Sequence, residues 1–368
     1  MKALITGSNG FIGKNIKVHL KEKEIDNISF SKDMTLDQLS ELLTNVDFVF
    51  HLAGVNRPEN QEEFKSGNKE FTKKLCDAIR STGRKIPVIY SSSTKVESND
   101  LYGNSKKAAE NALIELHKDT GSPVYIYRLP NVFGKWSRPN YNSVVATFCF
   151  NIANDKEIKV SDPSAVVTLV YIDDVISDFI RLFKDRFDGL HYIDIKTTYK
   201  ISVGDLAKLI SSFKKDRNCM TIDTVGIGLK RALYSTYLSF LRPEQISHSL
   251  PINEDDRGRF VEMLKTKGSG QFSFFTAYPG VTRGGHYHHT KNEKFLVIKG
   301  KAQFRFRHII TNETFEIFTD GTVPQVVETV PGWAHDITNI SDDEMIVMLW
   351  ANEVFDKKQP DTFSYRGI

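Results

Sequence analysis

The chain contains few cysteines and tryptophans, no long apolar run and almost no excess of charge. Its 368 residues include only 3 Cys and 3 Trp. The cysteines (Cys76, Cys149 and Cys219) lack the spacing of a metal site or a disulfide framework, so we expect buried thiols in a reducing compartment. No apolar stretch approaches the ~20 residues of a membrane helix, and the N-terminus lacks a signal-peptide pattern. These absences predict a cytoplasmic protein without membrane contact.

The charge and size of the chain narrow the class of protein further. A formal net charge of +3, with no basic run, does not indicate nucleic acid as a partner. Hydrophobic residues make up 40% of the chain and charged residues 26%, which is typical of a folded globular protein. A chain of 368 residues exceeds one ordinary hydrophobic core, so two domains are expected.

The sequence opens with an apolar strand, a glycine-rich turn and a helix. Residues 2–6 (KALIT) are apolar, and residues 14–21 have helical apolar spacing. Between them, glycines permit a tight turn and let the backbone approach a pyrophosphate at the helix N-terminus. The predicted nucleotide contacts in this turn are Gly7, Asn9, Gly10, Phe11, Ile12 and Gly13.

The Gly-x-x-Gly-x-x-Gly spacing resembles the extended branch of the short-chain dehydrogenase/reductase family, whose members modify nucleotide sugars. The resemblance covers roughly residues 1–245 and implies a Rossmann-type α/β fold. The second strand ends in Ser31 and Lys32 rather than in an acidic residue, which favours NADPH over NADH, although Asp33 is close. The third strand, residues 47–53, leads into a turn at Gly54 that resembles the family's turn beside the adenosine and ribose, and the resemblance makes Leu52, Ala53 and Gly54 cofactor contacts.

A Tyr-x-x-x-Lys pair follows a serine triplet. Tyr102 and Lys106 lie four residues apart and share a helix face, where an ammonium is expected to lower the phenol pKa toward neutrality. Such a tyrosine can give a proton to the alkoxide formed by hydride transfer. By resemblance the serine that holds the carbonyl is Ser93, with Ser92 as the competitor. The segment after Ser93 lacks the carboxylate of the family's dehydratases, which favours simple hydride transfer.

Residues 124–134 (VYIYRLPNVFG) resemble the family's Arg-x-x-Asn-x-x-Gly segment beside the sugar. The resemblance makes Asn131 a candidate substrate contact. Lys135 and Arg138 are candidates for binding a diphosphate, although loop cations are often merely solvated.

Histidines and a glutamate crowd together in the last third of the chain. His286 and His288 share one face of an extended strand, while His289 points to the opposite face. Glu293 follows closely and His335 is more distant. Two imidazoles, a carboxylate and a third imidazole form a plausible first shell for a divalent metal. His289 is left out of this predicted set.

From about residue 260 the pattern is one of short alternating strands, typical of a sandwich or barrel. Gly280-x5-His286-x-His288-x4-Glu293-x6-Gly300 and Gly332-x2-His335-x3-Asn339 resemble the two motifs of the cupin family, the second only in part. The resemblance implies an all-β barrel with His286, His288, Glu293 and His335 as metal ligands. Zinc is the first choice, and iron, manganese and nickel stay open. Metal-free sugar-nucleotide 3,5-epimerases, cupins that use a histidine base, are the alternative.

The predicted organisation is a reductase domain at 1–245, a linker at 246–259 and a cupin domain at 260–368. This order resembles bifunctional enzymes of bacterial capsular polysaccharide synthesis. The resemblance implies C3 epimerisation of a UDP-2-acetamido-2,6-dideoxy-4-ketohexose in the cupin and NADPH reduction at C4. The implied product is UDP-2-acetamido-2,6-dideoxy-β-L-talose, on the route to UDP-N-acetyl-L-fucosamine, and the implied assembly is a homodimer. The alternatives are a single-activity 4-reductase or 4-epimerase whose cupin only dimerises or regulates, and an inactive binding protein of reductase-like fold.

Overall fold

A computed structural model of the chain describes residues 1–58, 60–250, 253–255, 258–260, 264–266, 270–353 and 358–368. The chain divides into two compact units. Unit 1 comprises Met1–Ser143 and Val166–Ile201, and unit 2 comprises Val144–Ala165 and Ser202–Ile368. The predicted linker at 246–259 lies partly outside the described residues, so the domain boundaries remain predictions. Among the described helices, none combines the length and apolar character needed to cross a bilayer.

The first part of the chain alternates strands and helices. These elements are β1 (Lys2–Thr6), α1 (Phe11–Glu22), β2 (Asp26–Phe30), α2 (Leu36–Thr44), β3 (Phe48–His51), α3 (Glu62–Phe64), α4 (Phe71–Ser81), β4 (Val88–Ser93), α5 (Leu101–Thr120), β5 (Val124–Leu129), β6 (Asn131–Phe133), α6 (Val144–Ala153), β7 (Val166–Tyr171), α7 (Ile172–Lys184), β8 (Leu190–Ile193) and β9 (Tyr199–Ser202). A π-helical segment, Lys65–Glu70, joins α3 to α4.

The later part begins with helices and continues with strands. These elements are α8 (Val203–Asn218), β10 (Thr221–Ile222), α9 (Gly228–Leu238), β11 (Ser247–Ser249), β12 (Asn253–Asp255), β13 (Gly258–Phe260), β14 (Lys265–Thr266), β15 (Gln271–Ala277), β16 (Thr282–Tyr287), β17 (Glu293–Lys299), β18 (Lys301–His308), β19 (Thr314–Asp320), β20 (Gln325–Glu328), β21 (Trp333–Asn339), β22 (Met345–Ala351) and β23 (Phe363–Ser364).

Unit 1 is built on a six-stranded parallel sheet in the order β2-β1-β3-β4-β5-β8. The central strands are buried on both faces, as their continuous apolar runs require. The chain leaves β1 toward β2 on one side and then crosses to β3 on the other. In open parallel sheets, ligands bind at the carboxyl ends of the strands where the order reverses in this way. The predicted Rossmann-type α/β fold of the N-terminal part is confirmed.

Unit 2 contains two five-stranded antiparallel sheets. Their orders are β11-β20-β17-β22-β15 and β19-β18-β21-β16-β23. Alternate residues of β18, including Ala302, Phe304 and Phe306, are buried, as expected for a strand with one face on a core. Phe295, Val347 and Ile337 join them in one apolar cluster that draws on both sheets. The C-terminal part is therefore rich in β-structure, and its closure into a cupin barrel remains a prediction.

The three cysteines are all free thiols, but they are not all buried. Cys76 on α4 and Cys149 on α6 are buried, as predicted. The prediction is wrong for Cys219, which is exposed. It follows the last turn of α8 as its C-terminal cap, a position that faces solvent rather than a core.

Candidate functional sites

The glycine turn between β1 and α1 lies against the end of β3. Gly7 has φ +70°, a conformation that few residues with a Cβ adopt, and a Cβ there would come within 2.6 Å of the Ala53 nitrogen. A Cβ on Gly13 would come within 2.1 Å of the Gly7 carbonyl oxygen. The backbone packing therefore requires glycine at both positions. It also leaves the N-terminus of α1 at the carboxyl edge of the sheet, where its free N–H groups suit a pyrophosphate.

The end of β2 carries a cation and a carboxylate side by side. Lys32 and Asp33 are both exposed. A hydrogen bond from the Ser31 side chain holds the pKa of the Asp33 carboxyl below its usual value. Ser31 is thus occupied in part by a neighbouring carboxylate, a contact that the sequence did not reveal.

Tyr102 lies in the first turn of α5 because the helix starts one residue earlier. Asp100 caps the helix by accepting a hydrogen bond from the Gly103 nitrogen at 2.7 Å. Lys106, one turn later, is buried, and its Nζ donates to the Ser91 carbonyl at 2.9 Å. Burial lowers the pKa of Lys106 to about 8, and the Glu110 carboxylate acts in the opposite direction.

The phenol of Tyr102 does not have the predicted lowered pKa. Burial raises the pKa of Tyr102, while a side-chain hydrogen bond with Ser93 acts in the opposite direction. The cost of burying a phenolate, which depends on tertiary packing, raises this pKa. The phenol is therefore held in its protonated form, which is the form a proton donor needs.

The two candidate serines have different partners. Ser92 is buried, and its hydroxyl donates to Glu110 Oε1 at 2.5 Å. Arg128 holds the other carboxylate oxygen, with 2.8 Å between Nη2 and Oε2. Ser93 is half-buried and is the serine hydrogen-bonded to Tyr102. The geometry thus favours Ser93 over Ser92 as the group beside the reacting carbonyl.

Asn68, which the sequence did not single out, ties α5 to the loop after β3. Its Oδ1 accepts from the Val55 nitrogen at 2.8 Å, and its Nδ2 donates to Ser105 Oγ at 2.9 Å. Ser105 in turn donates to the Tyr102 carbonyl at 2.8 Å. Asn68 lies in the π-helical segment, a rare local structure that often marks functional sites and has no reliable sequence signal.

His51, at the end of β3, is fully buried between two threonines. Its Nδ1 and Nε2 each lie 2.8 Å from a hydroxyl, those of Thr6 and Thr72 respectively. Thr72 Oγ1 donates to the Asn68 carbonyl at 2.6 Å, so it must accept from His51 Nε2–H. The ring is thus neutral with its proton on Nε2. Burial, with the charge of Lys106 as a second cause, lowers the pKa of His51 to about 3.

This buried histidine should make the stability of unit 1 depend on pH. A histidine in the unfolded chain binds a proton below about pH 6.5, whereas folded His51 does not until about pH 3. Its contribution to folding is therefore complete above pH 6.5 and is lost as the pH falls, by roughly 2 kcal/mol at pH 5. Chemical denaturation of the wild type and His51→Gln between pH 8 and 5 measures this loss. The gap between the two should narrow with falling pH, and parallel curves would contradict the assignment.

The three predicted substrate contacts have different environments. Asn131 is exposed, and its Nδ2 donates to the Thr168 carbonyl at 3.0 Å. Arg138 is exposed, with its guanidinium 5.0 Å from the centroid of the Tyr141 ring. Lys135 is only 1% exposed, and its Nζ lies 2.6 Å from Asp173 Oδ1. The prediction that Lys135 binds a diphosphate is therefore wrong, because the Lys135 ammonium is buried and paired with the Asp173 carboxylate.

Tyr141 was missed by the sequence analysis. It is half-buried, and an ionised Tyr141 would raise the pKa of Tyr102, which places the two phenols near each other. Its hydroxyl also lies 3.5 Å from the Arg57 carbonyl oxygen. A lone tyrosine in a polar loop carries no sequence pattern that would have identified it.

In unit 2, the four predicted metal ligands come together. His286 on β16 is the register partner of His335 on β21, and Glu293 begins β17 in the other five-stranded sheet. One ligand atom from each of these residues and from His288 lies within 4.8 Å of the others. Glu293 Oε2 is 3.2 Å from His288 Nε2 and 3.6 Å from His335 Nε2.

The donor set fits a divalent metal in protonation as well as position. Burial, followed by the charges of His335 and His288, lowers the pKa of His286 to about 3, and burial also lowers the pKa of His335. Burial alone would raise the pKa of Glu293, but its hydrogen bond with His288 and its close contact with His335 place it well below its usual value. Neutral imidazoles and a carboxylate are the forms that bind metal. His335 Nε2 is buried and makes no hydrogen bond among the described residues.

The residues next to the proposed ligands in sequence point to the opposite face, as predicted for His289. Tyr287 and His289 point away from the cluster, where their ring centroids lie 5.6 Å and 4.9 Å from that of Phe363. Lys291, which was not predicted, contacts the cluster with its Nζ 2.8 Å from Glu293 Oε1. Two other cations, on β17 and β18, are paired elsewhere, Lys294 with Glu328 and Arg305 with Asp336.

The chain matches two family models. Residues 253–363 match the polysaccharide biosynthesis C-terminal domain, and residues 3–196 match the NAD dependent epimerase/dehydratase family. A Pseudomonas aeruginosa protein named UDP-2-acetamido-2,6-beta-L-arabino-hexul-4-ose reductase is 56% identical over 365 residues, covering 99% of this chain and 98% of the relative.

Solved structures agree with these matches. The crystal structure of capsular polysaccharide assembling protein CapF from Staphylococcus aureus is 40% identical with a TM-score of 0.67, covering 99% of this chain and all of CapF. The predicted resemblance to an enzyme of capsular polysaccharide synthesis is thus confirmed. UDP-glucuronic acid 4-epimerase from Bacillus cereus, 20% identical over 58% of this chain and 84% of its own with a TM-score of 0.52, shares the fold alone. The family model of residues 3–196 spans more than half of the 368 residues, so the chain belongs to the NAD dependent epimerase/dehydratase family.

Proposed function

We propose that unit 1 reduces the C4 ketone of a UDP-linked 2-acetamido-2,6-dideoxy-4-ketohexose. The observation that carries this proposal is the hydrogen bond between Ser93 and Tyr102, one helical turn before the buried Lys106 at the carboxyl ends of the parallel strands. The 56% identical relative is named as a reductase of a UDP-linked hexul-4-ose. A site with an intact proton donor argues against an inactive binding protein.

In the proposed reaction each side chain has one task. A bound nicotinamide dinucleotide supplies the hydride. Ser93 donates a hydrogen bond to the ketone oxygen, and Tyr102, held protonated by its burial, gives its proton to that oxygen as negative charge develops. Lys106 lies one helical turn after Tyr102 with its Nζ on the Ser91 carbonyl, and its proposed task is to stabilise the phenolate that remains. Asn131 and Arg138 are proposed as contacts to the sugar nucleotide.

NADPH is the proposed cofactor, with Lys32 and Ser31 beside a 2′-phosphate. Asp33 would repel that phosphate, so the two charges at the end of β2 act in opposite directions. Lys32→Ala is expected to raise KM for NADPH by about 10-fold, because a charge-assisted contact contributes roughly 1.5 kcal/mol, and to leave KM for NADH unchanged. Asp33→Asn should lower KM for NADPH. Steady-state kinetics with both dinucleotides measures these shifts, and equal effects on both would contradict the 2′-phosphate contact.

We further propose that the strands of unit 2 belong to a cupin domain, predicted at residues 260–368, that epimerises the same ketosugar at C3. His286, His288, Glu293 and His335 would hold a divalent metal, with zinc as the first choice from its nitrogen and oxygen donors. Such an ion would supply Lewis acidity that stabilises an enolate oxygen while a base takes the C3 proton, and reprotonation of C3 on the opposite face would give the epimer. Reduction at C4 would then draw a nearly balanced epimerisation forward, giving UDP-2-acetamido-2,6-dideoxy-β-L-talose.

Deuterium exchange tests this second activity without the first. The full chain is incubated with the 4-keto sugar nucleotide in deuterated water while NADPH is withheld, and the sugar is examined by NMR. Deuterium at C3 is expected. Its absence, in a protein that still reduces the ketone when NADPH is added, would leave the 4-reductase with a non-catalytic second domain as the better function.

One contact favours that alternative. Glu293 Oε1 lies 2.8 Å from Lys291 Nζ, so the carboxylate has a cationic partner without any metal. A second domain without metal would act in dimerisation or regulation. We also propose that the protein is a homodimer. Sedimentation equilibrium of the full chain measures its oligomeric state.

A further inference from the structure

The last residues described in the chain run along the strand that carries His286. In β23, Ser364 and Phe363 pair with His286 and Tyr287 of β16. The Tyr365 nitrogen then donates to the Gly285 carbonyl at 2.8 Å. Residues 361–367, here called the C-terminal segment, therefore lie alongside the strand that carries His286, although they follow the last proposed ligand, His335, by some 25 residues.

Asp361 in this segment uses its carboxylate to fix the loop between two of the proposed ligands. Oδ1 accepts from the His289 nitrogen at 2.8 Å. Oδ2 accepts from the Thr290 and Lys291 nitrogens, each at 2.6 Å, and from Thr290 Oγ1 at 2.9 Å. Successive backbone N–H groups that converge in this way form a nest for an anion. The loop that leads from His288 to Glu293 is thereby held in one conformation.

The backbone carbonyl of the same residue fixes the orientation of His288. It lies 2.5 Å from His288 Nδ1. A carbonyl can only accept, so Nδ1 carries a proton, and Nε2, which lies 3.2 Å from Glu293 Oε2, is the ring nitrogen that would bind a metal. A second ring nitrogen bonded in this way sets the tautomer and the direction of a metal-binding imidazole.

We infer that Asp361 is a positioning residue of the metal centre, which holds His288 with Nε2 toward the cluster through its carbonyl and holds the His288–Glu293 loop through its carboxylate. The inference rests on the proposed metal site. It assigns the C-terminal segment a role in metal affinity, since residues behind the ligands typically change that affinity by 10- to 100-fold.

The test measures metal affinity directly. Zinc dissociation constants of the full-length wild type and Asp361→Ala are determined by competition with a chromophoric chelator. A dissociation constant about 10- to 100-fold higher is expected for Asp361→Ala. Ser364→Ala, an exposed side chain in the same segment, is the control and should bind zinc like the wild type. Nitrogen-15 NMR of the zinc-bound protein should show a hydrogen-bonded Nδ1–H of His288 in the wild type. In Asp361→Ala this hydrogen bond should weaken, because the backbone carbonyl remains but the carboxylate no longer anchors it.

Each outcome decides a separate question. Wild-type zinc affinity together with an unchanged His288 Nδ1–H hydrogen bond in Asp361→Ala would overturn the positioning role. If that variant does not fold, Asp361→Asn decides instead, because its amide puts a donor against at least one N–H group. It should bind zinc several-fold more weakly, and unchanged affinity would overturn the inference. A wild type that binds no zinc would refute the proposed metal site itself.

Discussion

Tyr102→Phe is expected to lower kcat for reduction of the 4-keto sugar by about 10²- to 10⁴-fold, the usual contribution of a positioned proton donor. The ring remains, so packing against Phe64 and the dissociation constant of NADPH should be nearly unchanged. What disappears is the only atom of the side chain that can protonate the developing alkoxide. Because burial raises the pKa of Tyr102, the wild-type rate should also persist well above neutral pH.

The measurement is NADPH oxidation followed at 340 nm with the 4-keto sugar nucleotide, alongside NADPH binding by fluorescence. Tyr192→Phe is the matched control. It also loses one hydroxyl, but from an exposed ring on β8 that packs on Arg128, and its kcat should equal that of the wild type. Retention of kcat in Tyr102→Phe would show that another group delivers the proton, with Tyr141 as the first residue to examine.

His335→Ala is expected to abolish deuterium incorporation at C3 and to weaken zinc binding by more than about 100-fold. This ring is one of the four proposed metal ligands, and losing a ligand costs more metal affinity than losing a residue that only supports one. It is 3% exposed, and its removal leaves a polar cavity facing Glu293. NADPH binding should be unaffected, which separates this result from a general loss of folding.

His289→Asn is the informative comparison, because the two histidines differ in sequence context but not in chemistry. His289 points toward Phe363 rather than toward the cluster, so the variant should keep wild-type zinc stoichiometry and C3 exchange. Zinc content by elemental analysis and deuterium by NMR serve for both variants. If His289→Asn loses zinc and His335→Ala retains it, the ligand set is wrong.

The sequence predicted those parts of the fold that depend on local patterns. Residues 2–6 form β1 as predicted, because an apolar run before a glycine turn has few alternatives. The first helix starts at Phe11 rather than at residue 14, since its first turn belongs to the glycine motif itself. Motifs with fixed spacing also located the His/Glu cluster, because alternation along β16 determines which side chains share a face.

Properties that depend on tertiary packing could not be predicted from the sequence. The raised pKa of Tyr102 and the paired state of Lys135 both follow from burial, which no local pattern encodes. Asn68, Tyr141 and Asp361 act through contacts with residues distant in the chain. Asp361 in particular lies 72 positions from His289, from whose backbone nitrogen it accepts a hydrogen bond. Such residues meet only in the folded protein.

The division of the chain between the two units has a consequence for synthesis on the ribosome. Helix α6, with its buried Val145, Phe148 and Cys149, emerges some 50 residues before α8, against which it packs. At ~5–20 residues per second this apolar helix waits several seconds for its partner. During that time unit 1 also lacks β7 and β8, which follow α6. Neither unit can therefore finish folding before translation has passed residue 201, which makes the nascent chain between residues 144 and 201 a natural substrate for chaperones.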